Sequence, residues 1–145
     1  MPLAGNGDGL QANVEVTYAP LASTFSRSVD YQFTNRLKVY LSGDTGLHAD
    51  MKTIVNEFHK ANLAVLNLGP NAVTGFSAAY AVNELIKPAT VIASHVNEGA
   101  TTGGKVRADS RTAAFMNLVK GRPVYLALSG RTMEFDGDAK CVAGC

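Results

Sequence analysis

Leu37-Lys38-Val39-Tyr40-Leu41-Ser42-Gly43-Asp44-Thr45-Gly46 is the stretch that decides the fold: a short apolar run stops at a glycine and hands over an aspartate. Such a run bounded by turn residues reads as a buried strand, and the ends of buried strands in layered α/β proteins are where ligands and metals tend to sit. About fifty residues on, the pattern partly recurs, with Val91-Ile92-Ala93-Ser94 delivering His95. Asp44 and His95 are therefore the candidate metal ligands, one at each strand end. They make half of a site, because no further ligand cluster accompanies them.

Working outward from this stretch, the segment on its N-terminal side reads as the other arm of a hairpin, Val29 to Thr34 with Arg36 to Ser42 and Asn35 near the turn. Before it, Asn13 to Ala19 alternates at period two and is stopped by Pro20, a half-buried strand, and 22–28 is a polar loop. Residues 1–12 are rich in Gly, Asn and Asp and are expected to be a flexible lead-in.

On the C-terminal side, Met51, Ile54, Val55 and Phe58 recur at three and four, giving one apolar face of a helix from about His48 to Ala61. Leu63 to Leu68 is the next strand, stopped by Gly69-Pro70, and a small-residue stretch leads to a second helix, Phe76 to Lys87, closed by Pro88. The strand Thr90 to Ser94 and His95 follow. The Gly- and Thr-rich 97–104 is expected to be an irregular loop, with Lys105, Arg107 and Arg111 in a solvated loop and helix start.

A third helix, Ser110 to Lys120, has Asp109 or Ser110 as N-cap and Gly121 as stop. Val124 to Leu128 and Thr132 to Phe135 are expected to close the domain as a strand pair. The alternation of strand and helix predicts an α/β domain over 13–136, a mixed sheet with about three helices, and a flexible tail over 137–145.

Composition narrows the function classes. The 145 residues, 46% of them hydrophobic, suffice for one core and make two independent domains unexpected. A net charge of +1 with 17% charged residues argues against nucleic acid as partner. No apolar run reaches the roughly 18 residues of a membrane span, and the first residues lack the pattern of a signal peptide, so a soluble protein is expected. Cys141 and Cys145 have a spacing that permits a local disulfide or a partial metal clip, in a tail expected to be disordered.

Taken singly, Asp44 also suits a turn or a helix cap, and His95 a hydrogen-bonded histidine at a sheet edge. His48, at a helix start, and His59, on the polar side of the first helix, are weaker candidates. The chain has no H-E-x-x-H, no phosphate-binding G-x-x-x-x-G-K-[ST] and no G-x-S-x-G.

The order of segments is more telling than any one of them. Val39 to Leu47, the helix with Asp50-Met51, Leu63 to Gly69, Ala78-Ala79-Tyr80-Ala81-Val82 and Val91 to His95 together resemble the C-terminal half of the metallo-β-lactamase superfamily, over roughly residues 13 to 135. The branch most similar is that of the metal-dependent hydrolases that include ascorbate-6-phosphate lactonase. The resemblance implies half of an αβ/βα sandwich, a metal-dependent hydrolase of lactone, phosphodiester or amide bonds, and zinc, manganese or iron as cofactor. It also implies that Asp44 binds or bridges metal and acts in catalysis, and that His95 binds the second metal.

The family's H-x-H-x-D-H cluster has no counterpart here, and Ala22 or Ser23 stands where a further family histidine would. Two ligands fall short of the three that a catalytic zinc normally takes, so the chain is expected to be inactive alone. Its expected partners are the missing N-terminal half or a second copy in a homodimer, with a small-molecule substrate once the site is complete. The alternative is a non-catalytic binding or dimerisation module derived from the same fold.

Overall fold

A computed structural model describes residues 17–18, 29–69, 75–96 and 100–145. In chain order its elements are β1 (Thr17–Tyr18), β2 (Val29–Gln32), β3 (Lys38–Leu41), α1 (Met51–Phe58), β4 (Leu63–Asn67), α2 (Gly75–Tyr80, continued through Ala81–Ile86) and β5 (Thr90–Ser94). Then come β6 (Thr101–Thr102), β7 (Lys105–Val106), α3 (Arg111–Leu118), β8 (Val124–Leu126), β9 (Glu134–Phe135) and β10 (Cys141–Ala143). The main sheet has the order β1-β2-β3-β4-β5-β8. β1, β2 and β3 are antiparallel neighbours, whereas β3, β4, β5 and β8 run parallel, each joined to the next by a crossover that carries a helix.

Alternation along the strands divides the core. Tyr40, Ala64, Leu66, Val91 and Ala93 turn to the helices and pack with Met51, Val55, Val82, Ile86 and Phe115, all buried. On the other face, Leu63 and Ile92 are buried beneath Ala139, while Val39, Val65 and Phe135 are half-buried beside them. Tyr125 meets Phe135 there, ring to ring at 5.8 Å. One face is thus largely covered by helices and the other only partly.

The β2–β3 hairpin forms as its sequence predicts, with Gln32 opposite Lys38 and Arg36 in the left-handed region at φ 76°. Phe58 does not join the apolar face of α1 and is 71% exposed. α1 is wound with i→i+5 hydrogen bonds, as in His59 N–H to the Ile54 carbonyl at 2.8 Å. In this wider coil each residue advances through a smaller angle, so the residue seven on from Met51 leaves the stripe on which an ordinary α-helix would keep it. α2 ends with Lys87 at φ 52°, and the buried Pro88 follows it.

Three expectations need correction. The segment 97–104 is not wholly irregular: Thr101–Thr102 pairs with Lys105–Val106 around Gly103-Gly104, both at positive φ, the geometry that a two-residue hairpin turn demands. Val124 to Leu128 and Thr132 to Phe135 do not pair with each other, since β8 joins β5 in the main sheet and β9 pairs with β10.

Residues 137–145, expected as a flexible tail, pack back on the domain. The Asp136 carboxylate accepts from the backbone N–H groups of Asp138 and Lys140, which closes the turn before β10. The Thr90 hydroxyl donates to the Ala139 carbonyl at 2.6 Å, Asn62 donates to the Gly137 carbonyl at 2.9 Å, and a Cys141–Cys145 disulfide closes the end. The lead-in 1–12, most of the first strand, the loop 22–28 with Ala22 and Ser23, and residues 70–74 lie outside the described residues. Among the described residues no helix is long and apolar enough to cross a membrane.

Candidate metal centre

The candidate site is built at the C-terminal ends of β3, β4 and β5, three neighbouring parallel strands. Ser42 leaves β3 buried. Its hydroxyl accepts the Asn67 N–H at 3.0 Å and donates to the Gly43 carbonyl at 3.0 Å. Thr45 N–H bonds back to the Ser42 carbonyl at 3.3 Å, and Gly43 takes φ 55°, a torsion that costs glycine little. This tight turn lifts Asp44 onto the rim, where it is exposed.

Asn67, the last residue of β4, joins the parts. Its amide nitrogen donates to an Asp44 carboxylate oxygen, and its amide oxygen accepts the Gly69 N–H at 2.7 Å. Gly69 lies directly against the imidazole: a Cβ there would collide with Nδ1 of His95 and come to 2.9 Å from the Asn67 amide oxygen. His95 itself sits at φ 58°, just past the end of β5. Backbone bonding locks the two strand ends together, with Leu68 N–H to the Ser94 carbonyl at 3.1 Å and the Ser94 hydroxyl to the Leu66 carbonyl at 3.1 Å.

Asp44 and His95 are thus brought to one rim, linked through Asn67 and Gly69. Sequence reading missed three supporting residues, Asn67, Gly69 and Arg111. Asn67 had a signal, as a polar residue closing an otherwise apolar strand, and it is only 7% exposed. Arg111, expected in a solvated helix start, donates to the Gly69 carbonyl at 3.2 Å. Arg107 instead forks onto the Asp109 carboxylate at 3.2 and 2.9 Å and holds that carboxyl below its usual range.

The other histidines do not complete the centre. Burial holds the half-buried His48 below its ordinary pKa, with the Asp50 carboxylate pulling the other way. His59 lies at the far end of α1, where its Nε2 is buried without a hydrogen-bond partner beside Asp30. Among the described residues no three His, Cys, Asp or Glu side chains are grouped closely enough to hold an ion. The donor chemistry of Asp44 and His95 suits a metal, but two donors are fewer than a catalytic zinc normally takes.

Comparison with known proteins agrees with the architecture. No family model matches the chain. Its sequence is 32% identical over 107 residues to a UPF0173 metal-dependent hydrolase of Polynucleobacter asymbioticus, covering 72% of this chain and 35% of that protein. It is 40% identical over 98 residues to a UPF0173 metal-dependent hydrolase of Staphylococcus epidermidis, covering 67% and 40%. The chain therefore spans well under half the length of these curated relatives.

Among solved structures, the metallo-β-lactamase fold protein YhfI of Bacillus subtilis superposes with a TM-score of 0.52 at 14% identity, over 90% of this chain and 51% of that one. Igni18, a metallo hydrolase of Ignicoccus hospitalis, gives 0.52 at 20% identity, over 86% and 56%. At such identities the likeness is one of fold, and the fold is that of half a metallo-β-lactamase sandwich.

Proposed function

We propose that this chain is the C-terminal half of a metal-dependent hydrolase, of the branch that includes ascorbate-6-phosphate lactonase, and that Asp44 and His95 are two of its metal ligands. One observation carries the reading: the Asp44–Asn67–Gly69–His95 chain of contacts holds a carboxylate and an imidazole on the same rim of three parallel strands. The sequence similarity to proteins named as metal-dependent hydrolases supports it.

Each residue has a definite part. Asn67 orients Asp44 through a hydrogen bond to one carboxylate oxygen and leaves the other for a cation, as polar neighbours of metal-bound carboxylates do. His95 turns Nδ1 towards Gly69 and has Nε2 as its remaining donor. A bound zinc, manganese or iron would supply a water acidified to a pKa of about 7 and a Lewis acid for the scissile carbonyl or phosphoryl oxygen. Lactone, phosphodiester and amide bonds are the substrate classes that this chemistry serves.

The remaining ligands belong to a partner segment, the N-terminal half with its H-x-H-x-D-H cluster. The half-buried Val39, Leu41, Val65 and Tyr125 on the incompletely roofed sheet face offer the surface on which it packs. The same face supports a second reading, a dimerisation module without catalysis.

Zinc titration calorimetry separates the two. The hydrolase reading expects zinc binding that Asp44→Ala and His95→Ala each weaken by about tenfold or more. Heat unchanged in both variants removes Asp44 and His95 as ligands and leaves the module.

A further inference from the structure

We infer that the loop after β8 builds a ligand pocket beside His95 that takes an organic anion with a short apolar body, anchored by Arg131. Its role as the substrate subsite of the proposed hydrolase rests on that reading, whereas the binding does not. A cavity of about 670 Å³ opens here, walled by His95 and Val96 on one side and by Leu128, Arg131 and Met133 on the other. That is within the range of small-molecule sites, roughly 300–1,000 Å³.

The loop is held in place by its backbone. Ala127 N–H donates to the Ala93 carbonyl at 3.0 Å, which ties the loop to β5 two residues before His95. Arg131 N–H then closes a turn onto the Leu128 carbonyl at 3.2 Å, with Gly130 at φ 74° in the third position, where the turn requires a left-handed residue. This fixes the backbone that carries the guanidinium beside the cavity.

The lining decides the ligand. Val96, Leu128 and Met133 supply apolar walls, and among the described residues that line the cavity there is no carboxylate. Among the described residues Arg131 has no ion pair and no hydrogen-bonded acceptor of its own. A guanidinium left open over an apolar wall pairs well with a carboxylate or a phosphate, whose two oxygens match its fork. A ligand anchored at Arg131 lays its apolar body along Leu128 and Met133 and brings its middle past His95. Among the proposed substrate classes this favours an anionic lactone, phosphodiester or amide over a neutral one.

The test is an NMR shift titration of the chelator-treated protein with hexanoate, hexyl phosphate and hexanamide. Both anions are expected to bind at least about tenfold more tightly than the amide, in keeping with one hydrogen-bonded charge pair, and to shift the amides of Val96 and of Ala127 to Met133. Arg131→Gln is expected to abolish the preference, and Arg131→Lys to retain part of it. Equal affinity for hexanoate and hexanamide, an Arg131→Gln protein that titrates like the parent, or no shifts in the loop would each overturn the proposal. Because metal is chelated throughout, a failed zinc titration leaves this result standing, and a failed anion titration says nothing against Asp44 and His95.

Discussion

At the scale of single residues, a buried amide and a glycine do the joining. Asn67 can reach Asp44 only because Gly69 leaves room for the chain to fold over its amide oxygen and for the His95 ring to lie against the backbone. Gly69→Ala places a methyl group where Nδ1 of His95 now lies, and the imidazole has to move. The expected outcome is a shifted His95 side-chain NMR signal and zinc affinity lowered by about tenfold or more, with the sheet intact. An unchanged His95 signal would mean that this close contact does not position the ring.

Asp44 and His95 were legible in sequence because each follows an apolar strand and so marks its end. Asn67, Gly69 and Arg111 were not, since their roles arise only once β3, β4, β5 and α3 stand side by side. A side chain that serves a neighbour across the sheet leaves no periodic trace in its own segment.

At the scale of elements, the far end of α1 meets β2 where the half-buried His59 lies beside the buried Asp30. Asp30 is 8% exposed, and its Oδ1 and the Nε2 of His59 are both buried without hydrogen-bond partners. They line one cavity of about 10 Å³ together with Tyr31 and Lys38. Burial pushes the Asp30 carboxyl up, and the charge of His59 pulls it down by less.

A carboxyl raised on folding gives its full stability below its unfolded pKa and loses it as pH climbs through the folded value. Asp30→Asn is therefore expected to gain stability over the parent as pH rises from about 4 to 7, by about 1 kcal/mol at the upper end. Paired thermal melts across that range check it. A constant difference, or one that shrinks with pH, would show that the carboxylate is not penalised.

Element existence was largely readable, and element edges and partners less so. The Gly103-Gly104 turn was hidden because the strands it joins have two residues each, too few to show alternation. Phe58 left its predicted face because hydrophobic spacing assumes an ordinary α-helical coil, which α1 does not keep. The return of residues 136–143 depends on Asn62 and Thr90, donors far back in the chain that the local sequence does not reveal.

At the scale of the molecule, the imbalance between the two sheet faces is the main property. The helix face is largely covered, and the other leaves Val39, Leu41, Val65 and Tyr125 only half-buried despite the cover of β9 and β10. Light scattering is expected to show concentration-dependent self-association when the chain is alone, and Val65→Lys, which puts a charge in the middle of that face, to shift it towards monomer. A monodisperse monomer at high concentration would remove the partner surface from the proposal. Strand and helix alternation made the layered architecture legible, but which face lacks a roof became visible only from packing.

The sheet order also carries a consequence for how the rim comes into being. β2 and β3 meet through a tight turn, a local pairing that closes quickly, whereas β4 and β5 reach their places only after whole crossovers have been wound. Asp44 is presented by the early hairpin, but Asn67 arrives with β4 and His95 with β5. The rim that joins Asp44 to His95 is therefore expected to be completed late in folding, and a form of the chain in which β5 has yet to dock carries the carboxylate without the imidazole beside it.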